Sequence, residues 1–507
     1  MAVLSIAGNA AIAFSLYLLV LFIYRLFFHP LRKYPGPFVA KFSDIYAGYF
    51  AAARRLHLRT YHDHLQYGPV MRHGPNRLLF NTATALRDIY QNDQLVKASI
   101  YRGSQVAPDK YNVFNIRDRA VHRIKRRLVG QALSDHSLRR FEPTLLEQID
   151  RFLKVILQAS KTSNPVNMTP ASRYLGLDII GQLGFGYDLS LQTDNEHRFL
   201  TKGIVSSNFR INLSMQFPLL IRLRVDILAS LIPNSIRARL LATVEKMVTT
   251  RLAQPIDAKR DLLSFIAPKL ETDLKDVQKA DLWPEAVFFF GAGGDTTGTA
   301  IAGAFFYLSR NPSCYQKLAA EIRSTFISVD EIQTGRQLAS CQYLRACIDE
   351  TLRMAPPSST TLWREQDPAG DKSQPLIIDG HIVPLGTMVG VNIYSIHHNT
   401  EYFPSPFTFR PERWLEGNDL ARSAFTAFST GPRSCAGKSL AYAEISLTLA
   451  RTVWHFDFEP APGPLGKVGG GIPGRTDGRG REDEFQIQDV FGACTDGPYL
   501  IFRPRTQ

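Results

Sequence analysis

The stretch Phe428-Ser-Thr-Gly431-Pro-Arg433-Ser-Cys435-Ala-Gly437, followed at once by the helical run Lys438 to Trp454, decides how the rest of the chain is read. It has the form of a loop that presents one thiolate. Gly431 and Gly437 let the backbone turn tightly and approach a flat cofactor, and N–H groups near the start of the next helix stabilise negative sulfur. Phe428 opens the loop, and Arg433 supplies a cation for a carboxylate of that cofactor. For the other four cysteines, Cys314, Cys341, Cys347 and Cys494, a buried structural thiol is the simpler reading. Five is an odd number and no C-x-x-C pair occurs, so neither a disulfide framework nor a structural zinc site is indicated.

Upstream, Asp281 to Arg310 is apolar on nearly all faces, has Pro284 in its first turn and stops before Asn311-Pro312. It is expected to be a buried central helix on the order of 45 Å long at 1.5 Å per residue. Within it, Ala292-Gly293-Gly294-Asp295-Thr296-Thr297 places adjacent glycines where each costs about 1 kcal/mol relative to alanine. A planar cofactor lying against the helix is one reason for them. A phosphate-gripping loop is the competing reading, but no Gly-Lys-Ser/Thr ending follows. Asp295 and Thr296 then stand where a carboxylate and a hydroxyl relay protons to bound dioxygen, with back-bonding of Thr296 to its own helix as the plainer alternative.

Between helix and loop lie Glu350-Thr-Leu-Arg353 and Pro411-Glu412-Arg413-Trp414. Glu350 and Arg353, three apart, share a helix face, and a buried pair of this kind calls for a second arginine, for which Arg413 is well placed. Alone, E-x-x-R is a weak signal, since any exposed helical ion pair gives the same letters. Its order among the other motifs gives it weight.

Taken together, these motifs resemble those of the cytochromes P-450: the haem-binding loop, the E-x-x-R of the K helix, the P-E-R-F segment and the oxygen-activation motif of the I helix. The resemblance runs from Tyr34-Pro35-Gly36-Pro37 to Gly497-Pro-Tyr-Leu-Ile501, and Asp178-Ile-Ile-Gly181 with Phe185-Gly186 looks most like microsomal members from filamentous fungi. It implies a mainly α fold with small β-sheets and haem b with its iron on the Cys435 thiolate. It also implies dioxygen as co-substrate, and electrons from NADPH through a separate NADPH-cytochrome reductase. A structural triad of Glu350, Arg353 and Arg413 is implied beneath the haem, with Thr296 and Asp295 above it. His122, where tryptophan is more widespread, and Arg126 are the implied propionate partners on the C helix, with Arg364 after Met354-Ala-Pro-Pro357 as another.

A formal charge of +13 and a pI near 9.5 point to an acidic partner surface. The cluster Arg123, Lys125, Arg126 and Arg127 is either a solvated helix face or a docking patch for an acidic electron donor; no recognition motif accompanies it for nucleic acid. Ala2 to Tyr24 carries no charge and is long enough to cross a bilayer, which takes about 20 residues. Arg25, Arg32 and Lys33 follow it, the order of an anchor with its C-terminal side in the cytoplasm and not of a cleaved signal. Three units are expected: an anchor helix, 1–24; a basic, Pro-rich linker, 25–40; and a catalytic domain, 41–507. The expected location is the endoplasmic reticulum membrane, spanned once, with membrane lipid as a partner.

Helical patterns dominate from Phe141 to Arg353, and strand-like runs fall at Gly68 to Phe80, Leu376 to Val383 and Tyr499 to Phe502. The resemblance implies oxidation, typically hydroxylation, of a small apolar organic molecule in secondary metabolism, such as a terpenoid, polyketide or alkaloid. A benzoate-like aromatic is an alternative. Others are an isomerase or dehydratase that inserts no oxygen, against which Asp295-Thr296 argues, and a haem sensor without turnover. The pocket is expected along Ser104–Asn115, Ser206–Phe217, Ala292–Thr296, Ser358–Leu362 and the turn near Thr495. The apolar stretch Asn212 to Leu223 is either part of that pocket or a second membrane contact.

Overall fold

The computed structural model describes residues 2–223, 235–255, 259, 261–264 and 282–505. The helices that concern the site are α1 (Ala2–Ile23), α2 (Phe38–Phe42), α3 (Arg119–Ala132), α4 (Asp135–Lys161), α5 (Met168–Phe185), α6 (Phe199–Gln216), α7 (Ile236–Leu252), α8 (Leu282–Arg310), α9 (Gln342–Met354) and α10 (Lys438–His455). The strands are β1 (Val70–Gly74), β2 (Arg77–Phe80), β3 (Leu95–Lys97), β4 (Val166–Asn167), β5 (Arg364–Gln366), β6 (Leu376–Ile378), β7 (His381–Val383), β8 (Met388–Val391), β9 (Phe456–Pro460), β10 (Gln488–Val490), β11 (Gly492–Cys494) and β12 (Tyr499–Pro504). They form a sheet in the order β1-β2-β8-β5-β3, a second in the order β4-β12-β9, and the hairpins β6-β7 and β10-β11. The fold is mainly α with small sheets, as expected. Two of the strand-like runs are hairpins: 68–80 turns between Gly74 and Arg77, and 376–383 turns at Asp379-Gly380, both with positive φ.

The expected central helix is α8; its proposed first residue, Asp281, lies outside the described residues. Nearly every residue from Gly294 to Leu308 is buried, because α8 runs between α5, α9 and α10. Its glycines also serve a neighbouring helix. A Cβ on Gly294 would stand 2.6 Å from Leu177 Cδ2, one on Gly298 2.8 Å from Arg173 Cα, and one on Gly176 of α5 2.4 Å from the Gly294 carbonyl oxygen. Gly176, Gly294 and Gly298 let two helices cross with their backbones in contact, while Gly293 also lines the cavity.

The stretch 25–40 is not a free linker. Leu31 and Tyr34 are buried in the cluster around the large sheet, His29 Nε2 lies 2.9 Å from Asn76 Oδ1, and Arg72 N donates to Pro35 O at 2.7 Å. Apolar side chains among the charges, and Gly36 packed against the Arg72 carbonyl, lay this segment on the catalytic body. At the other end β12 pairs with β9, and Phe502 packs edge-on to Phe305 of α8, so the body continues to Pro504. Helix α1 stands outside it: Leu4–Phe28 is the one span among the described residues long and apolar enough to cross a membrane, and none of it is buried.

Candidate active site

Helix α10 starts at Lys438 with Gly437 as its N-cap, and the preceding loop is held from three sides. Gly431, at φ +74°, brings its Cα against Tyr90, whose carbonyl oxygen a Cβ would meet at 2.1 Å. Cys435 N donates to Phe428 O at 2.8 Å, closing the turn, and Arg126 of α3 donates from Nη2 to Cys435 O at 3.3 Å. The Cys435 thiol opens on an internal cavity of about 400 Å³. Its sulfur is accessible from that cavity yet surrounded by protein. Burial therefore pushes the thiol up, opposed by the Gly437 N–H, Arg126 and Lys438. Phe428 lines the same space and packs on Tyr442, and a Cβ on Gly437 would meet nothing within 4 Å.

Behind the loop, Glu350 sits at the centre of a buried network. It takes Arg353 Nε and Nη2 and Arg413 Nε, each at 2.9 Å, and Trp414 Nε1 at 3.0 Å. The second arginine was foreseeable from the charge balance; the indole donor was not, although the final residue of Pro-Glu-Arg-Trp carries it. His397, which no motif in the sequence marks, also belongs to the network. Its Nδ1 donates to Arg353 O, its own carbonyl accepts from Arg353 Nη1 at 2.8 Å, and its Nε2 accepts from Thr426 N at 2.9 Å. Burial and the Arg353 charge hold this imidazole down at about 3, so it is the neutral tautomer those bonds require. The network reaches the cysteine loop through that ring.

One end of the cavity is lined by Lys97, His122, Arg126, Arg364 and Arg433, and no Asp or Glu occurs among its described lining residues. Burial and the neighbouring cations lower Arg433 to about 10, His122 to about 3 and Lys97 well below its ordinary value. The positive forms of Lys97 and Arg433 are disfavoured by burial and by one another, which two carboxylates on a bound group would relieve, and His122 stands among them as a neutral imidazole. A flat dicarboxylate cofactor with its metal on Cys435 fits these residues. Lys97 is a further member that the sequence reading missed; its signal is a lysine in the apolar strand Leu95-Val96-Lys97.

The basic cluster on α3 divides. Arg123 and Arg127 are exposed, Arg126 faces the cavity, and Lys125 is buried in an ion pair with Glu285, so only two of the four remain for an external partner. On the opposite wall, Thr296 lines the cavity and its Oγ1 donates to Ala292 O at 2.7 Å, the back-bonded arrangement. Asp295 lies behind it, outside the lining, in a buried ion pair with Arg173 Nε at 3.0 Å; burial raises its carboxyl against the pull of Arg173. Of the expected pocket segments, 104–115, 206–217, 292–296 and 358–362 contribute. The turn near Thr495 contributes through Phe491 and Gly492, while Thr495 itself is bonded to Thr169. Asn212 is buried and donates to Asp489 O, and of 212–223 only Leu219, Arg222 and Leu223 are exposed. Glu444 of α10, buried beside Thr297, is raised by burial to about 8.

The cysteine loop, the cation-lined slot and the arginine-glutamate network together define a haem-thiolate oxygenase. The chain matches the family described as cytochrome P450 over residues 54–466, and it belongs to that family. It is 38% identical to the cytochrome P450 monooxygenase apf7 of Gibberella fujikuroi, covering 96% of each chain. It is 35% identical to the cytochrome P450 monooxygenase AKT7 of Alternaria alternata, over 96% of this chain and 95% of the relative. With the cytochrome P450 monooxygenase poxM of Penicillium oxalicum the identity is 36%, over 97% and 93%. It is a haem-thiolate monooxygenase of the kind found in filamentous fungi.

Proposed function

We propose that this monooxygenase hydroxylates, or otherwise oxidises, a small apolar molecule in secondary metabolism. It uses dioxygen and electrons from NADPH delivered by a separate NADPH-cytochrome reductase, and it is held at the endoplasmic reticulum by α1 with its body in the cytoplasm. The observation that carries this reading is the cavity over Cys435, apolar on the walls made by Val113, Phe114, Ile211, Leu240, Val287 and Phe288 and cationic at one end. A haem bound through a cysteine thiolate supplies electron density that favours O–O cleavage.

The protein's residues do the rest. Cys435 is the ligand; Arg126, Arg364, Arg433 and Lys97 hold the propionates, with His122 as a neutral hydrogen-bonding neighbour. Phe428, Gly431 and Gly437 shape the loop, and Glu350, Arg353 and Arg413 fix it from behind. Thr296 Oγ1 donates to Ala292 O and so turns its lone pairs to the cavity, where it accepts a hydrogen bond; by rotating it can instead donate one into the cavity. Asp295 is the proton store behind it, restrained by Arg173. The apolar walls exclude bulk water from the site.

The test is reconstitution with a fungal NADPH-cytochrome reductase in phospholipid vesicles and a panel of apolar acids, terpenes and aromatics, following oxygen incorporation and NADPH. In Thr296→Ala, NADPH oxidation continues while product falls by about 10-fold or more and peroxide rises. Unchanged coupling removes Thr296 from the mechanism, and no incorporation into any panel member removes the substrate class.

A further inference from the structure

Residues 104–118 form part of the cavity wall, yet no long helix or strand holds them. They run from a short turn at Ser99–Ser104 to the start of α3, and Asn112, Val113 and Phe114 face the cavity. Their fixation comes from the first turn of α8. One carboxylate oxygen of Glu285 accepts the Val113 N–H at 3.0 Å, and the other receives Lys125 Nζ of α3 at 2.9 Å. Lys125 Nζ lies 3.3 Å from the Tyr111 carbonyl, and Asn112 Nδ2 lies 3.3 Å from Pro284 O. The Phe114 ring then stacks on Phe288, centroids 5.2 Å apart and planes 14° from parallel.

The side chains of Lys125 and Glu285 are 6% and 8% exposed, and neither lines the cavity. An ion pair taken so far from water is a poor source of stability, since apolar residues of the same volume often do as well, but losing one partner strands a charge. What this pair does provide is position: one carboxylate joins α3, the wall loop and α8. At the other end of the loop, Arg433 donates to the carbonyls of Ile116 and Arg117 at 2.7 and 3.1 Å, so the segment is tied on both sides of Val113 and Phe114.

We propose that Glu285 and Lys125 are positioning residues that clamp the loop 104–118 closed over the cavity, and so set how fast molecules enter and leave the site and how large a molecule it admits. The clamp rests on reading the cavity as the substrate site, and the experiment separates the two. The probe is 4-phenylimidazole, a nitrogen ligand that must enter the cavity to shift the Soret band. Its association and dissociation are followed by stopped flow on the full-length holoprotein. Lys125→Met and Glu285→Gln should each raise both rates by about 5-fold or more, with the reduced carbon monoxide spectrum unchanged, and the double variant should add little because the two side chains act as one unit.

Rates within about 2-fold of the parent, or effects that multiply in the double variant, overturn the clamp. A parent protein that gives no Soret shift overturns the cavity reading, and the clamp with it. Hydrogen exchange on the unmodified protein tests the clamp without a variant. The Val113 amide, donating to a buried carboxylate, should exchange about 100-fold more slowly than those of exposed Ala107 and Asp109. Equal exchange overturns the proposal even where a variant fails to hold haem.

Discussion

The cavity wall that carries Cys435 and the wall that carries Thr296 both contain glycines two or more to the motif, and the two sets do different work. In the loop 428–437, Gly431 adopts a positive φ against Tyr90 and Gly437 leaves open space toward the cavity; both serve the presentation of one sulfur. In α8, Gly294 serves the neighbouring helix, where a Cβ would strike Leu177 of α5, and Gly293 lines the cavity against Ile180 of the same helix. The lower wall is a local device fastened by a polar network. The upper wall is a helix crossing that happens to carry the oxygen-side hydroxyl. Function on the lower side therefore depends on buried charge, and on the upper side on backbone proximity.

The lower wall is broken most severely at Glu350. Glu350→Ala leaves Arg353 and Arg413 buried with no carboxylate and removes the acceptor for Trp414. Breaking a buried network by removing one partner costs about 3–5 kcal/mol, a large share of a domain's stability. The expected outcome is protein that melts far below the parent or does not accumulate with haem, read by thermal unfolding and by the haem-to-protein absorbance ratio. A variant that melts as the parent does would show that the network is not what fastens the loop.

That difference also explains what could be read from the chain. The cysteine loop and Glu350-x-x-Arg353 lie within one turn or one helix face, so spacing alone orders them, and Arg413 follows from the need to balance charge. His397 and Lys97 reach the site from segments whose proximity is decided by the sheet and the turn after it. Lys125 and Glu285 are 160 residues apart; on α3 the lysine looks like one more exposed cation, and only packing reveals its acid. The α8 glycines signal close approach without naming the neighbour, because a missing Cβ makes room for a helix as well as for a ring. Which residue of the turn near Thr495 lines the cavity was not legible for a similar reason: the β10-β11 turn, with Phe491 at φ +82°, decides it.

Glu444 lies between the walls, on the helix that begins at the cysteine loop and beside Thr297 of α8. Its carboxyl is raised from an ordinary 4.5 to about 8 by burial. Between those values the folded protein binds a proton that the unfolded chain has released. Stability therefore falls as pH rises through this window, by up to about 1.4 kcal/mol per pH unit, and is unaffected below it. Glu444→Gln, which keeps the shape without the charge, should flatten the pH dependence of chemical denaturation between about pH 5 and pH 8. A variant whose profile parallels the parent's would assign that slope to other groups.

The smallest effects test the upper wall directly, because they are expected to have opposite signs. Gly294→Val puts its Cβ 2.6 Å from Leu177 Cδ2 and 2.9 Å from Leu177 Cα, with branches added beyond it. The helix cannot yield without parting from α5, so a loss of about 1–3 kcal/mol is expected. Gly291, one turn earlier and on the same helix, has nothing within 4 Å of where a Cβ would stand. There Gly291→Ala relieves only the conformational freedom of glycine, and a gain of about 0.5–1 kcal/mol follows from helix propensity. Both are read from urea midpoints at one pH. If Gly291→Ala destabilises as Gly294→Val does, the cavity side of α8 is more crowded than the crossing side, and the flat cofactor returns as the reason for glycine there. If the signs differ, α5 is the cause at Gly294, and the cavity side has room for a methyl group.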